Sequence, residues 1–257
     1  MSYALITGAS KGIGKAIAEE LASRGYDILL VARSRELLAQ TASAISTKYQ
    51  VNTDFFAIDL SAENAALQVF NWCTQKKYSI TVLVNNAGYG LSGPMEKYSV
   101  EENRNMMQLN MIVPTTFCQL FLPMLKEQPK AYIMNIASSA AYQAVPYLSI
   151  YSASKSFVLN FSRGLHQVLK NTNISVTCIS PGATDTDFVV RAQIGEKGLK
   201  TASKVNMSPS AVAKIAVNGM LAGKSEVITG FINKLGAFAA WLLPKGLIES
   251  SVMKIYK

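Results

Sequence analysis

Cysteine and histidine are scarce in this sequence, and neither is arranged as a metal site. The three cysteines, Cys73, Cys118 and Cys178, are widely spaced in apolar surroundings, which predicts small buried side chains. An odd number of cysteines without a signal peptide suits a reducing compartment, so we expect a cytoplasmic protein. The single histidine, His166, lies on a predicted helix far from every motif, and we interpret it as structural.

Long apolar runs and clusters of charge are also absent. No run of about 18 apolar residues occurs, so no segment is predicted to span a membrane. Charged residues make up only 16% and hydrophobic residues 49%, which argues against disorder. The 25 basic and 16 acidic residues give a net charge of +9, but the basic residues lack interleaved aromatics, and we expect no nucleic-acid partner. The first residues enter a predicted strand directly, so we expect no targeting segment.

What is present is a regular alternation of β-branched runs and amphipathic segments. Strands are predicted at Tyr3–Thr7, Ile28–Val31, Thr53–Ile58, Thr81–Val84, Ala131–Ala137, Ile174–Ile179 and Glu226–Thr229. Helices are predicted near 15–35, 35–49, 62–77, 99–126, 152–170 and 209–222, with caps at Ser61 and Ser208. This alternation predicts an α/β fold: residues 1–257 as a single doubly wound Rossmann-type domain, with a central parallel sheet of about seven strands and helices on both faces.

A glycine-rich turn follows the first predicted strand. Residues Thr7–Gly14 place glycines in the pattern G-x-x-x-G-x-G. A tight turn of this kind brings backbone N–H groups against a pyrophosphate at a helix N-terminus, where side chains would block the approach. An ordinary strand–helix turn is the alternative, but the position in the first βα unit favours a dinucleotide site.

The end of the second strand indicates which dinucleotide binds. An acidic residue there would accept the ribose 2′-OH of NAD, but this sequence has Arg33, about 20 residues past Gly14. Arg33 and Lys11 suit a 2′-phosphate, so we predict NADP(H), although both could be ordinary surface cations. Asp27 precedes the strand and is misplaced for the ribose.

Tyr151 and Lys155 stand at i and i+4, which places a phenol and an ammonium on one helix face. A phenol titrates near pH 10, about three pH units above neutrality. A nearby cation favours the phenolate and lowers the phenol pKa, which makes Tyr151 a candidate acid/base. A chance surface pair is the alternative for these two residues taken alone.

Together the motifs resemble the compact branch of the short-chain dehydrogenase/reductase family. They are, in order, Thr7–Gly14, 85–88 (Asn-Asn-Ala-Gly), Asn110, Ser138, Tyr151–Lys155 and Pro181–Thr186. The resemblance implies that Tyr151 is the catalytic acid/base and that Lys155 binds the nicotinamide ribose. It implies that Ser138, with Ser139 as its rival, hydrogen-bonds the substrate oxygen, and that Asn110 holds a relay water.

The same resemblance implies a set of cofactor-binding residues. They are Gly8, Ser10, Lys11, Gly12, Ile13, Gly14, Arg33, Asp59, Leu60, Asn86, Ala87, Gly88, Tyr151, Lys155, Pro181, Gly182, Thr184 and Thr186. Asn85 and Asn86 would also brace the sheet. For Asp59 a helix cap is the alternative to an adenine contact.

The substrate is indicated only in outline. Residues 187–206 resemble the family's substrate loop, and with Tyr142, Val145 and Tyr147 they favour a hydrophobic carbonyl or alcohol. The C-terminal extension, 234–257, contains an apolar stretch at 235–245. We interpret it first as packing over the pocket or onto a partner subunit, with peripheral contact with a membrane or lipid as the alternative.

We also expect a homo-oligomer, a dimer or a tetramer. A 3-oxoacyl-type reductase is the narrower interpretation of the activity. A non-catalytic NADP(H) sensor and a sugar-nucleotide epimerase or dehydratase are the other classes, but the intact Asn110–Ser138–Tyr151–Lys155 set and the short chain argue against them.

Overall fold

A seven-stranded parallel sheet forms the centre of the molecule, in the order β3-β2-β1-β4-β5-β6-β7. The computed structural model describes residues 2–184, 192 and 206–256, without the side chains of 254–256. The strands are β1 (Tyr3–Thr7), β2 (Asp27–Ala32), β3 (Thr53–Ala57), β4 (Ile80–Asn85), β5 (Ala131–Ile136), β6 (Ile174–Ser180) and β7 (Glu226–Ile228). The predicted α/β class and Rossmann-type sheet are confirmed.

Helices cover both faces of this sheet. They are α1 (Gly12–Ala22), α2 (Arg35–Tyr49), α3 (Ala65–Gln75), α4 (Val100–Met107), α5 (Val113–Lys126), α6 (Ser149–Leu169), α7 (Pro209–Leu221), α8 (Phe231–Leu242) and α9 (Lys245–Tyr256). Side chains alternate between the faces of each strand, so Ala4 and Ile6 face α1, α2 and α7, whereas Leu5 faces α3, α5 and α6. Each face therefore has its own apolar core.

One predicted helix boundary is wrong, and another predicted helix is not continuous. The helix predicted near 15–35 ends at Ala22, because a turn with Gly25 at φ +83° leads into β2 at Asp27. The helix predicted at 99–126 is interrupted by a π-helical turn, Gln108–Ile112, which contains Asn110. Such π turns are rare in proteins overall, and those that occur are often at functional sites.

One predicted cap is confirmed and the other is wrong. The Ser208 side chain accepts a hydrogen bond from the Ala211 N–H at the start of α7, with Pro209 in the first turn. Ser61, by contrast, donates its hydroxyl to Asp59. The following helix, α3, begins four residues later, after Asn64 at φ 58°.

The scarce residues are structural within the described part of the chain. All three cysteines are buried, and burial raises the pKa of each thiol to about 12. His166 Nδ1 lies 2.8 Å from the Val176 carbonyl oxygen, which attaches α6 to β6. Among the described residues, no cluster of candidate metal ligands occurs and no helix is long and apolar enough to cross a membrane.

Candidate active site

A cavity of about 610 Å³ opens at the carboxyl ends of the strands, where β1 and β4 lie side by side. Strand order reverses there, and doubly wound sheets bind ligands at such points. The predicted residues in its lining are Gly8, Ser10, Lys11, Gly12, Ile13, Arg33, Asp59, Leu60, Asn86, Ala87, Gly88, Ser138, Tyr151, Lys155, Pro181, Gly182 and Thr184. Gly14 and Asn110 lie behind this lining, and Thr186 falls outside the described residues, as does nearly all of 187–206.

Some lining residues were not predicted. They include Ala32, Ser34, Leu37, Ile58, Tyr89, Leu109, Ile136, Ala137, Ala140, Leu148 and Ala183. Ala32, Ile58 and Ala137 adjoin a predicted residue at a strand end, and that position was the available signal for them. Ser139, the rival of Ser138, also lines the cavity.

The glycine loop is packed so closely that two of its glycines have no room for side chains. Gly8 adopts φ +66°, and a Cβ there would lie 2.9 Å from the Ala87 Cα. A Cβ on Gly14 would lie 2.4 Å from the Gly8 carbonyl oxygen. Helix α1 then begins at Gly12 with no side-chain cap and no acidic residue in its first turn. Its N-terminal N–H groups can therefore bind an anion, and the loop fits a dinucleotide pyrophosphate.

Thr7 and Asn86 join the two halves of the sheet beneath this loop. The Thr7 hydroxyl accepts hydrogen bonds from the Asn86 and Ala87 N–H groups, both at 3.0 Å. The Asn86 side-chain amide donates to the Thr7 carbonyl at 2.9 Å and to the Gly8 carbonyl at 3.2 Å. Asn85 donates to Asn135 at 2.8 Å and so braces β4 against β5. The sequence indicated the asparagines, but not Thr7.

Cationic side chains surround one end of the cavity. Arg33 ends the turn after β2, and its exposed guanidinium Nη1 lies 4.0 Å from the Asp59 Oδ2. Asp59 accepts hydrogen bonds from the Ser61 N–H and hydroxyl at 2.9 and 2.7 Å. Lys11, in the glycine loop after the neighbouring strand β1, also lines the cavity. Asp27 is at the opposite end of β2, where it accepts the Asn52 N–H, and so is remote from this end.

Tyr151 and Lys155 lie on one face of α6, and both are buried, with 7% and 5% exposure. The Lys155 Nζ lies 5.9 Å from the centroid of the Tyr151 ring and donates to the Ile136 carbonyl at 2.9 Å. Burial lowers the pKa of Lys155 to about 8. The structure therefore places a desolvated ammonium beside the phenol, at the wall of the cavity.

Ser138 stands at the end of the turn that follows β5. Its hydroxyl oxygen accepts the Ala140 N–H at 3.1 Å, which leaves the hydroxyl hydrogen for another acceptor. The adjoining 3-10 turn, Ser139–Tyr142, is held by a 2.7 Å bond from the Ser139 N–H to the Pro181 carbonyl. Both serines line the cavity, so Ser138 stays the predicted partner of the substrate oxygen and Ser139 its rival.

Asn110 is buried behind Tyr151 and Lys155. Its side chain accepts the Tyr89 N–H at 3.1 Å, and donates to the Tyr89 carbonyl at 2.9 Å and to Ser154 at 3.0 Å. Gly88 lies between Asn110 and Lys155, because a Cβ there would be 2.9 Å from the Asn110 Oδ1 and 3.3 Å from the Lys155 Nζ. The four residues expected to form the catalytic set thus lie on adjoining elements.

The three residues predicted for the pocket wall, Tyr142, Val145 and Tyr147, lie outside the lining of this cavity. Tyr142 instead donates its hydroxyl to Glu226 at 2.5 Å and lies 3.0 Å from the Ser180 hydroxyl. Val145 packs beside Tyr151 in a small cluster that Val252 of α9 also contacts.

The C-terminal extension leaves most of its large apolar side chains exposed. Val252 contacts the cluster beside Tyr151, but the large side chains of α8 point outward. Phe238 is 55% exposed, Trp241 74% and Leu242 61%. Within this chain these three side chains do not pack over the pocket, and contact with a partner subunit or with lipid stays a prediction.

The family model described as short chain dehydrogenase matches residues 2–197. Very-long-chain 3-oxoacyl-CoA reductase-B of Danio rerio is 33% identical over 220 residues, 78% of this chain and 70% of that protein. Hydroxysteroid dehydrogenase-like protein 1 of Gallus gallus is 34% identical over 197 residues, 76% of this chain and 59% of that protein. The matched part thus spans 59–70% of the length of these two relatives.

Solved structures share the fold over nearly the whole chain. A 7beta-hydroxysteroid dehydrogenase has a TM-score of 0.88 at 22% identity and covers 98% of this chain and 96% of its own. A short-chain dehydrogenase from Sphingobium yanoikuyae, in complex with NADPH, has a TM-score of 0.83 at 28% identity, with 96% and 95% covered. A short-chain dehydrogenase/reductase from Burkholderia phymatum, in complex with NAD, has a TM-score of 0.82 at 20% identity, with 92% of each chain covered.

At 22% and 20% identity the first and third structures show the fold alone. The family match and the relatives above 30% identity extend the likeness to the sequence. The chain therefore belongs to the short-chain dehydrogenase/reductase family, and it is an oxidoreductase that uses a nicotinamide cofactor.

Proposed function

We propose that this chain interconverts a hydrophobic ketone and its secondary alcohol with NADP(H), and that Tyr151 is the acid/base. The observation that carries this proposal is the buried Lys155 ammonium beside Tyr151 in the wall of the cavity. A cation in a dry site favours the phenolate and so lowers the pKa of the phenol. A site that only binds a dinucleotide could use this lysine for the ribose but would not need a phenol with a lowered pKa.

Each step of a reduction has a residue in this cavity. The cofactor, when bound, supplies the hydride. Ser138 donates its hydroxyl hydrogen to the carbonyl oxygen and polarises it. Tyr151 transfers its proton to the same oxygen, and Lys155 stabilises the phenolate that remains. Positioned acid catalysis of this kind contributes roughly 10²–10⁴-fold.

The Tyr151→Phe variant tests the catalytic assignment. It removes the phenolic proton and little volume, so turnover of a ketone should fall at least about a hundredfold while NADPH binding persists. Tyr49→Phe on α2, remote from the cavity, is the matched control. If Tyr151→Phe keeps more than a few per cent of activity, another group is the acid. If wild type binds NADPH but turns over no carbonyl or alcohol, the sensor alternative holds.

NADP(H) is the proposed cofactor because Arg33 and Lys11 lie at one end of the cavity. Asp59 is the nearby acid, and it is already hydrogen-bonded to Ser61. Arg33→Asp should weaken NADPH binding about 10–100-fold, because it removes a charge-assisted partner of the 2′-phosphate. Arg35→Asp, two residues along and over the Phe55 ring instead, should change little. Equal affinities of wild type for NADPH and NADH would contradict the assignment.

A 3-oxoacyl thioester is the narrower substrate that we propose. The name of the Danio rerio relative and the apolar cavity residues Leu109 and Leu148 support it. A panel of 3-oxoacyl-CoA esters of rising chain length, followed at the NADPH absorbance band, tests it against bulky cyclic ketones. If cyclic ketones are reduced faster than the 3-oxoacyl-CoA esters of every chain length, a hydroxysteroid-like activity is favoured instead.

We also propose that the chain forms a homodimer or tetramer. Ile112, at 46% exposure, and Phe157, at 39%, lie on neighbouring elements, the π turn and α6. Exposed apolar residues on adjoining elements favour contact between copies. Light scattering of wild type and Phe157→Glu tests this, since a monomeric mass for wild type would contradict it.

A further inference from the structure

Helix α8 is amphipathic, but its large apolar side chains face away from the protein instead of toward its core. Its inward face has small or polar residues, among them Asn233 and the buried Ala240. Its outer face has large apolar residues at helical spacing, and we define this outer face as Phe231, Leu235, Phe238, Trp241 and Leu242. Their exposure ranges from 55% to 79%. Exposed apolar patches of this kind mark interaction sites.

We propose that the outer face of α8 docks on an anionic lipid bilayer. Trp241 packs against Phe238 with ring centroids 5.9 Å apart, and both stand on the exposed side. Tryptophan is enriched where membrane and water meet. At 12 residues the helix is about 18 Å long, far shorter than the bilayer core is thick. It therefore lies in the plane of the surface, as interfacial helices do.

The charge around the outer face distinguishes a lipid surface from a second copy of this chain. Lys234 and Lys245 flank it, and residues 227–248 contain no aspartate or glutamate. In a symmetric pairing through this face, each lysine would approach the lysines of the other copy with no acid in the face to neutralise them. Lipid phosphates neutralise both lysines, and each lysine near such a surface strengthens binding about fivefold.

The position of α8 gives the contact a purpose. It packs against the 3-10 turn Ser139–Tyr142, and α9 follows with Val252 against the cluster beside Tyr151. A bilayer under α8 would thus lie next to the catalytic turn, and an apolar ketone dissolved in it could enter the cavity without crossing water. This delivery step rests on the function proposed above, whereas the docking does not.

Sedimentation with vesicles tests the docking without cofactor or substrate. Wild type should sediment with vesicles of equal parts phosphatidylglycerol and phosphatidylcholine, and far less with phosphatidylcholine alone. Phe238→Glu/Trp241→Glu should weaken binding at least about a hundredfold, because each buried aromatic contributes at least about tenfold. Val100→Glu, at a residue 86% exposed on α4, is the matched control and should bind as wild type does.

A second variant keeps the apolar face intact. Lys234→Gln/Lys245→Gln should weaken binding to the anionic vesicles about 25-fold and lose most of the salt dependence. A Trp72→Phe protein leaves Trp241 as the single tryptophan, whose emission should shift to the blue on vesicles.

Two results would overturn the docking proposal. The first is a wild type that stays in the supernatant with anionic vesicles at low salt. The second is a Phe238→Glu/Trp241→Glu protein with a smaller mass than wild type in light scattering without lipid, which would assign the face to a contact between copies. Inactivity of wild type on every carbonyl would count against the proposed function and leave the vesicle result unaffected. Both the docking and the proposed function are supported if wild type is active and binds the anionic vesicles, and if Phe238→Glu/Trp241→Glu is as active as wild type on a water-soluble ketone.

Discussion

Burial of the Lys155 ammonium should make the stability of the free protein depend on pH. Burial lowers the pKa of this group from 10.5 to about 8 in the folded protein, whereas the unfolded chain restores the ordinary value. Between these two values the unfolded state binds more protons, so the free energy of unfolding rises with pH there. Below pH 8 both states are protonated, and the folded state bears the full cost of burying the charge, about 3 kcal/mol.

Lys155→Met isolates this contribution, because methionine has similar length and does not titrate. The free energy of unfolding of wild type minus that of the variant should rise by about 2 kcal/mol between pH 7 and pH 9.5. Loss of the bond to the Ile136 carbonyl changes the free energy of unfolding by the same amount at both pH values, so it cancels in this comparison. Urea denaturation at pH 7, 8 and 9.5 measures it.

Lys224→Met replaces an exposed lysine and is the matched control. Its difference from wild type should stay constant over the same range. If the Lys155→Met difference is equally constant, the ammonium is not desolvated in the folded protein. The argument that it favours the Tyr151 phenolate would then fail with it.

Three further predictions follow from the packing. Gly14→Ala should weaken NADPH binding at least about tenfold, because its Cβ would lie 2.4 Å from the Gly8 carbonyl oxygen. Gly164→Ala is the control, at an exposed helical site with open space. It should stabilise the protein by up to about 1 kcal/mol, as calorimetry would show. Thr7→Val should lower the free energy of unfolding by about 2 kcal/mol in urea, since two backbone N–H groups lose their acceptor, and Thr74→Val, on the surface of α3, should cost much less. At pH 8 a disulfide reagent should leave the native thiols unmodified and react with all of them in urea, because they are buried and burial raises their pKa to about 12; rapid labelling of the native protein would refute this for Cys73, Cys118 and Cys178.

Features that depend on a few neighbouring residues could be predicted from the sequence. The strands are short β-branched runs, and all seven end within one residue of the predicted position, because burial on both faces demands such runs. The glycine loop was predictable since only glycine fits where Gly14 meets Gly8. The i, i+4 spacing alone places Tyr151 and Lys155 on one face of α6.

Features that depend on distant contacts could not be predicted. The π turn at Asn110 interrupts an otherwise regular helical pattern, and its side chain bonds Tyr89 and Ser154, 21 and 44 residues away. Tyr142 was expected in the pocket wall, but its hydroxyl bonds Glu226, 84 residues further along the chain. The residues next to Tyr142 in the sequence do not show whether its side chain faces the cavity or a distant strand.

The sequence by itself thus determined the fold class, the dinucleotide loop and the placement of Tyr151 and Lys155 on one helix face, because backbone geometry and helical spacing act over a few residues. Only the tertiary structure decided that Lys155 is desolvated, that Thr7 locks β1 to β4, and that α8 turns its large apolar side chains outward. The physical reason is that burial and charge depend on everything that surrounds a group in space. An apolar stretch such as 235–245 has the same pattern in sequence whether a core, a second subunit or a membrane covers it.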